Sequence, residues 1–385
     1  MIIIKKPPND SFTLRLFARL THQVKVPADI IYTWTLAMDP GMNPTYQTDN
    51  ELFYRKALID NINKDLIVLG VKDHLTCGWF NPYIESKPNL VLYLEDMFNF
   101  YHDKTFIVFT STENLTFDCA NVHVINWGGD ITNQRKEYPM LPPVIDKNFD
   151  STTAYISLNR NHRYHRTFLL SALMGFDLEH TGFITCMFSM EFQDTIDDMA
   201  CTIDPKFDNV YRQGYEKLKN AVFDQYDNYE IYPNKNNDNV YNFKQCLSNY
   251  YKNSFVEIIT ETSFTEPCYL LTEKTLNSIY GCNFPILLCG CGSVAFMRSI
   301  RFDMFDDVID HSYDTITDPL EKIYVAIERN KHLLNNPALV KDLWVKHKQR
   351  FLNNIEVARV NMYDFYTQRA ETQWYNLRHL YENLS

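Results

Sequence analysis

Short runs of β-branched, aliphatic and aromatic residues recur along the chain. They are Ile30–Leu36, Leu66–Leu69 (LIVL), Thr105–Phe109 (TFIVF), Val122–Ile125 (VHVI), Ala154–Leu158 (AYISL), Phe183–Phe188, Phe255–Thr260 (FVEIIT) and Pro285–Cys289 (PILLC). Segments with helical spacing lie between them, among them Leu52–Ile62, Leu90–Tyr101, Thr167–Leu173 and Glu273–Tyr280. Strands that are apolar on both faces and separated by helices belong to parallel sheets covered on each side. The fold class is therefore α/β. A length of 385 residues exceeds one ordinary core and suggests two domains at roughly 100–200 residues each. The proline-rich stretch Pro139-Met-Leu-Pro142-Pro143 makes a linker. The expected division is 1–149, 150–336 and a helical tail 337–385. The tail's apolar positions Leu343, Val345, Phe351, Leu352, Ile355, Met362 and Phe365 would pack across the domain junction. Residues 225–245, rich in Tyr and Asn, read as a surface excursion. In such sheets ligands bind outside the carboxyl ends of the strands.

Composition removes several classes. The net charge of −11, from 37 basic and 48 acidic side chains, argues against a generic nucleic-acid binder. No apolar stretch approaches the roughly 20 residues of a membrane span, and the run Met1–Ile4 is too short for a signal peptide. Nine cysteines without a Cys-x-x-Cys read as reduced thiols packed as small hydrophobes, which points to the cytoplasm. Glycine is scarce at 11 residues, and G-x-G-x-x-G, G-x-x-x-x-G-K-[ST] and G-x-S-x-G are all missing. There is also no Asp-x-Asp, the spacing that holds a divalent ion against a diphosphate. Any nucleotide diphosphate would be neutralised by side chains, so neither a metal nor a cofactor is expected.

Two segments carry chemistry. In Ser157-Leu-Asn159-Arg160-Asn-His162-Arg163-Tyr-His165-Arg166-Thr-Phe, a strand ends, cations cluster and a helix begins. Cations beside a helix N-terminus form a phosphate site without glycine or metal. A solvated basic loop is the plainer alternative. In the second segment, Glu257 and Glu261 precede Leu271-Thr272-Glu273-Lys274, where Thr272 would cap a helix that carries a carboxylate and an ammonium in its first turn.

The order of these pieces resembles the C-terminal half of GT-B glycosyltransferases, closest to the fucosyltransferase-like group. Arg166-Thr-Phe-Leu-Leu-Ser-Ala-Leu approximates R-x-F-x-x-x-L, and Thr-Glu-Lys before an apolar helix and a Pro-started strand is similar. Phe302-Asp-Met-Phe305 to Tyr313-Asp314 looks like the closing stretch of related transferases of phages and bacteria, and Thr112-Glu113-Asn114 resembles a Thr-Gly-Glu-Asn element.

That resemblance implies two facing Rossmann-like domains with a nucleotide-diphosphate sugar, UDP- or GDP-linked, as co-substrate. Arg166 and Lys274 would bind the diphosphate, with Arg160 and Arg163 in support. Glu261 and Glu273 would meet ribose or sugar hydroxyls, and Asn159 and Thr272 would complete the donor site. Glu113 is the candidate base, with Asp39 and Glu95 in reserve. The acceptor would be a glycan or hydroxymethylated cytosine in DNA, since the Asn-, Tyr- and Phe-rich composition looks like a phage chain, acting then in the host cytoplasm. The basic helix Lys341–Arg350, with Trp344, would meet a DNA phosphate backbone or else pack across the domain junction. The alternative is a non-enzymatic nucleotide-sugar or carbohydrate binding protein of the same fold.

Overall fold

The computed structural model describes residues 29–33, 66–71, 95, 98–110, 113–126, 141–159, 164–186, 205–220, 247–261 and 271–382. The chain divides into two compact units. One is Met1–Arg135 with Pro267–Leu270 and Met362–Ser385, and the other is Lys136–Glu266 with Leu271–Asn361. Each contains a parallel four-stranded sheet, as the apolar runs predict for an α/β chain. Asp39, Arg160, Arg163, the segment Leu52–Ile62 and the stretch 225–245 lie outside the described residues. Among the described residues no helix is long and apolar enough to cross a membrane.

In the first unit β1 (Asp29–Thr33), β2 (Leu66–Val71), β3 (Thr105–Thr110) and β4 (Val122–Asn126) pair in sequence order. Ile67 is opposite Phe106 and Val108 opposite Val124. Phe98 packs on Phe106 with ring centroids 4.6 Å apart, so this buried ring covers the sheet at β3.

The second unit is built from β5 (Tyr155–Asn159), α1 (Tyr164–Gly175), β6 (Gly182–Cys186), α2 (Pro205–Asn220), α3 (Ser248–Lys252), β7 (Val256–Thr260), α4 (Glu273–Gly281), β8 (Phe284–Leu288), α5 (Ser293–Ser299), α6 (Pro319–Leu334) and α7 (Pro337–Glu356). Its strand order is β6-β5-β7-β8. Every residue of β5 and β7 is buried, as strands covered on both faces require. The order reverses at β5, which makes the β5–β7 boundary the switch point where α/β sheets open a crevice.

Helices α1 and α2 cross at glycines. A Cβ built on Gly214 would overlap the Ser171 carbonyl oxygen, and one on Gly175 would overlap that of Val210. Gly214→Ala is therefore expected to lower stability by about 1–3 kcal/mol through overpacking, read as a fall in urea midpoint with unchanged slope. An unshifted midpoint would mean that the helices separate freely.

The second unit begins at Lys136, earlier than the expected 149/150, and a buried lysine ties the stretch before β5 into it. Lys147 is buried and donates from Nζ to the carbonyls of Tyr251 (2.7 Å), Ser254 (2.9 Å) and Gly281 (2.7 Å) and to Asn283 Oδ1 (2.5 Å). Just before it, Val144 N–H donates to Tyr280 O at 2.8 Å. The chain is thus packed into the second unit directly after Pro143. The helical segment 337–385 is likewise no separate unit. Helix α7 and the π-helical turn Val357–Asn361 belong to the second, while α8 (Met362–Glu382) belongs to the first. Trp344 of α7 is buried, donates its indole N–H to Cys282 O at 2.8 Å and stacks on Phe351.

Beside Lys147, burial pushes the Glu257 carboxyl up to about 8, against a hydrogen bond from Tyr251 Oη at 2.8 Å. Burial also pushes Lys147 down to about 7. Between the ordinary glutamate value and about 8 the folded chain holds a proton that the unfolded chain has lost. Stability therefore falls as pH rises through that window, by at most about 1.4 kcal/mol per unit. Lys147 acts in the opposite sense above about 7, where the unfolded chain keeps the extra proton. Below pH 7 Lys147 adds no slope of its own, and comparison with a Glu257 variant isolates the Glu257 contribution from that of other titrating groups. Glu257→Gln should flatten stability between pH 5 and 7 in a denaturation series, and parallel curves for the two proteins would refute the buried neutral carboxyl.

Candidate functional site

The switch point gathers most of the residues expected to bind a donor. Asn159 ends β5, and its Oδ1 accepts from Thr260 Oγ1 (2.8 Å) at the end of β7, while its amide nitrogen donates to Ser157 Oγ at 3.0 Å. Asn159 is fully buried, so it ties the two strands together beneath the edge. Arg166, in the first turn of α1, is buried and donates to Thr260 O at 3.2 Å. His165 Nε2 lies 3.1 Å from Glu261 O. The basic helix start is therefore folded onto the carbonyls that end β7.

From the other side comes the start of α4. Thr272 is its N-cap, with extended backbone, and Thr272 Oγ1 accepts from Lys274 N–H at 3.4 Å. Glu261, 0% exposed, accepts at Oε1 from Thr272 N–H (2.8 Å) and Thr275 Oγ1 (2.6 Å) and at Oε2 from Thr272 Oγ1 (2.6 Å). Its oxygens face the helix start, so a sugar hydroxyl has no open approach to them. The accessible pair is Glu273 and Lys274, whose side chains are 25% and 20% exposed. Lys274 Nζ donates to Thr272 Oγ1 (3.1 Å) and Glu273 Oε1 (3.0 Å). Burial pushes the Glu273 carboxyl up, but the adjacent ammonium outweighs it and holds the group below the ordinary range. At neutral pH this edge presents a carboxylate and a cation side by side.

The next edge position is filled. Asp314 accepts from Val294 N–H (3.0 Å), Ala295 N–H (3.0 Å) and Ser293 Oγ (3.3 Å), closing the turn through Gly292 into α5. Asp314 entered the sequence reading only as the end of the closing stretch, and Lys147 not at all, because each matters through backbone groups brought from elsewhere. Among the described residues no group of three or more His, Cys, Asp or Glu side chains is placed to hold a metal.

Glu113 lies in the first unit, just after β3. It is 5% exposed, and its two oxygens accept from Arg369 of α8 at 2.9 and 3.0 Å. Burial raises its pKa, opposed by Arg369 and by a hydrogen bond from Tyr366. Asn126 N–H donates to Gln373 Oε1 at 3.1 Å, so α8 is tied to the carboxyl ends of both β3 and β4. Glu95 accepts from Asp118 N–H at 3.0 Å.

No protein-family model and no curated protein matches this chain.

Proposed function

We propose that this chain is a GT-B glycosyltransferase that moves a sugar from a nucleotide-diphosphate donor to a hydroxyl acceptor without a metal. One observation carries the reading. Asn159, Arg166, Glu261, Thr272, Glu273 and Lys274, far apart in sequence, meet at the carboxyl edge of one parallel sheet at its switch point. There Lys274 and the basic start of α1 stabilise the leaving diphosphate as fixed cations, and Glu273 accepts from ribose or sugar hydroxyls. Glu113 is the candidate base in this reading. Its burial favours proton uptake, and it has to act through lone pairs that Arg369 leaves open.

Lys274→Ala and Arg166→Ala should each weaken UDP or GDP binding about 10- to 150-fold, the loss of one charge-assisted contact. Transfer should persist in EDTA. Unchanged calorimetric affinity in both variants, or activity restored only by added magnesium, would overturn the donor site as described.

The acceptor in this reading is a glycan or hydroxymethylcytosine in DNA, met in the cytoplasm. A mass shift on nucleosides digested from treated hydroxymethylcytosine DNA, set against one on a glycan panel, decides between them. For DNA, the helix α7 offers Lys346 and Lys348, since Trp344 is in the core and Arg350 is held by Asp303 at 2.6 and 2.7 Å. The second reading, a binding protein without catalysis, is favoured by the engagement of both Glu113 oxygens with Arg369. Slow hydrolysis of a bound nucleotide sugar would exclude it.

A further inference from the structure

Glu261 follows β7 directly and is closed to solvent. A buried carboxylate beneath an anion site is adverse in one respect. Its Oε2 lies 4.0 Å from Lys274 Nζ and lowers the positive potential a ligand would feel. What it supplies is direction. The Thr272 hydroxyl has a single proton, and Glu261 Oε2 takes it at 2.6 Å. The hydroxyl lone pairs are thereby left for α4, where they accept from Lys274 N–H and from Lys274 Nζ at 3.1 Å. Glu273 Oε1 takes a second proton of Nζ at 3.0 Å. An ammonium has three donors, so one is left.

We propose that Glu261 is a positioning residue of this site: acting through the Thr272 hydroxyl, it holds the Lys274 ammonium so that one N–H is presented to a diphosphate. The inference rests on the anion-site reading given under the proposed function, and it assigns to Glu261 a different task from contact with sugar hydroxyls. Glutamine is the informative replacement. It keeps an oxygen for Thr272 N–H and Thr275 Oγ1 but offers an N–H to Thr272 Oγ1, which turns the hydroxyl proton toward the lysine.

The test is calorimetric affinity of the full chain for UDP, GDP and inorganic pyrophosphate. The proteins are the wild type, Glu261→Gln, Thr272→Val and Thr272→Ser, each with and without Lys274→Ala. Glu261→Gln and Thr272→Val should each weaken binding about 5- to 10-fold, the effect of one net hydrogen bond. Combined, they should weaken it no further, because they break the same chain. Thr272→Ser should bind like the wild type, and in the Lys274→Ala background neither variant should change affinity again.

Tighter binding by Glu261→Gln, as charge removal alone would give, overturns the inference. So does equal weakening with and without Lys274. If Glu261→Gln does not fold, the Val and Ser variants of Thr272 decide by the same comparison. Wild-type protein that binds none of the three probes refutes the anion site and this inference with it. Binding that depends on Lys274 but ignores Glu261 and Thr272 refutes only the inference.

Discussion

Replacing Lys147 with methionine is expected to remove about 3–5 kcal/mol of unfolding free energy, because several buried acceptors lose their donor at once. Methionine fills nearly the same volume, so the loss isolates the donors. Three backbone carbonyls and the Asn283 side chain would be left without the ammonium, at the end of α3, the start of β7 and the end of α4. Each buried acceptor without a donor costs about 1–3 kcal/mol. The cost is shared only where relaxation admits water. The Lys147 ammonium also sits 5.8 Å from the Phe255 ring and 6.0 Å from that of Trp344, contacts that methionine keeps only in part. Urea denaturation at pH 7 measures the effect. A loss below about 1 kcal/mol would mean that the acceptors find water, and the buried lysine would then be no more than a surface-like contact.

Glu113→Gln is expected to act twice. The ion pair it breaks is bidentate and nearly closed to water on the carboxylate side, while the Arg369 side chain is 22% exposed. The stability cost is therefore discounted from the fully buried case to about 2–4 kcal/mol. If Glu113 takes the acceptor proton, turnover of the folded variant falls a further 10²- to 10⁴-fold, about the range for general-base removal. Arg369→Gln separates the two effects, since it breaks the same pair and leaves the carboxylate in place. Turnover retained in folded Arg369→Gln and lost in folded Glu113→Gln identifies the base. Equal turnover in both, once the folded fraction is allowed for, makes Glu113 a structural anchor of α8 and moves the base to another carboxylate.

The eight strands and the cap of α4 were legible because they are local. Phe106, Ile107 and Val108 of TFIVF and all of VEIIT are buried, and that demand is written in the residues themselves. Thr272 before Glu-Lys announces a helix start for the same reason, since its hydroxyl meets an N–H two residues on. The residues that gather at the β5–β7 edge were also legible as a group, through the order strand, cations, helix, and later Thr-Glu-Lys.

Only the tertiary structure decided which of those residues are open to solvent and which are closed off. Asn159 and Glu261 have side chains that suit donor contacts, yet both are sealed under the edge by partners about 100 and 11 positions away, Thr260 and Thr272. Lys147 sits just after the proline-rich stretch that reads as linker, and its acceptors come from residues more than a hundred positions later. Glu113 reads as a reactive carboxylate until Arg369, 256 positions on, takes both oxygens. Apolar periodicity is a property of neighbours in sequence, whereas the state of a charged group depends on what folding places against it. That is why the sequence determined the sheets, and the tertiary structure determined the surroundings of each charge.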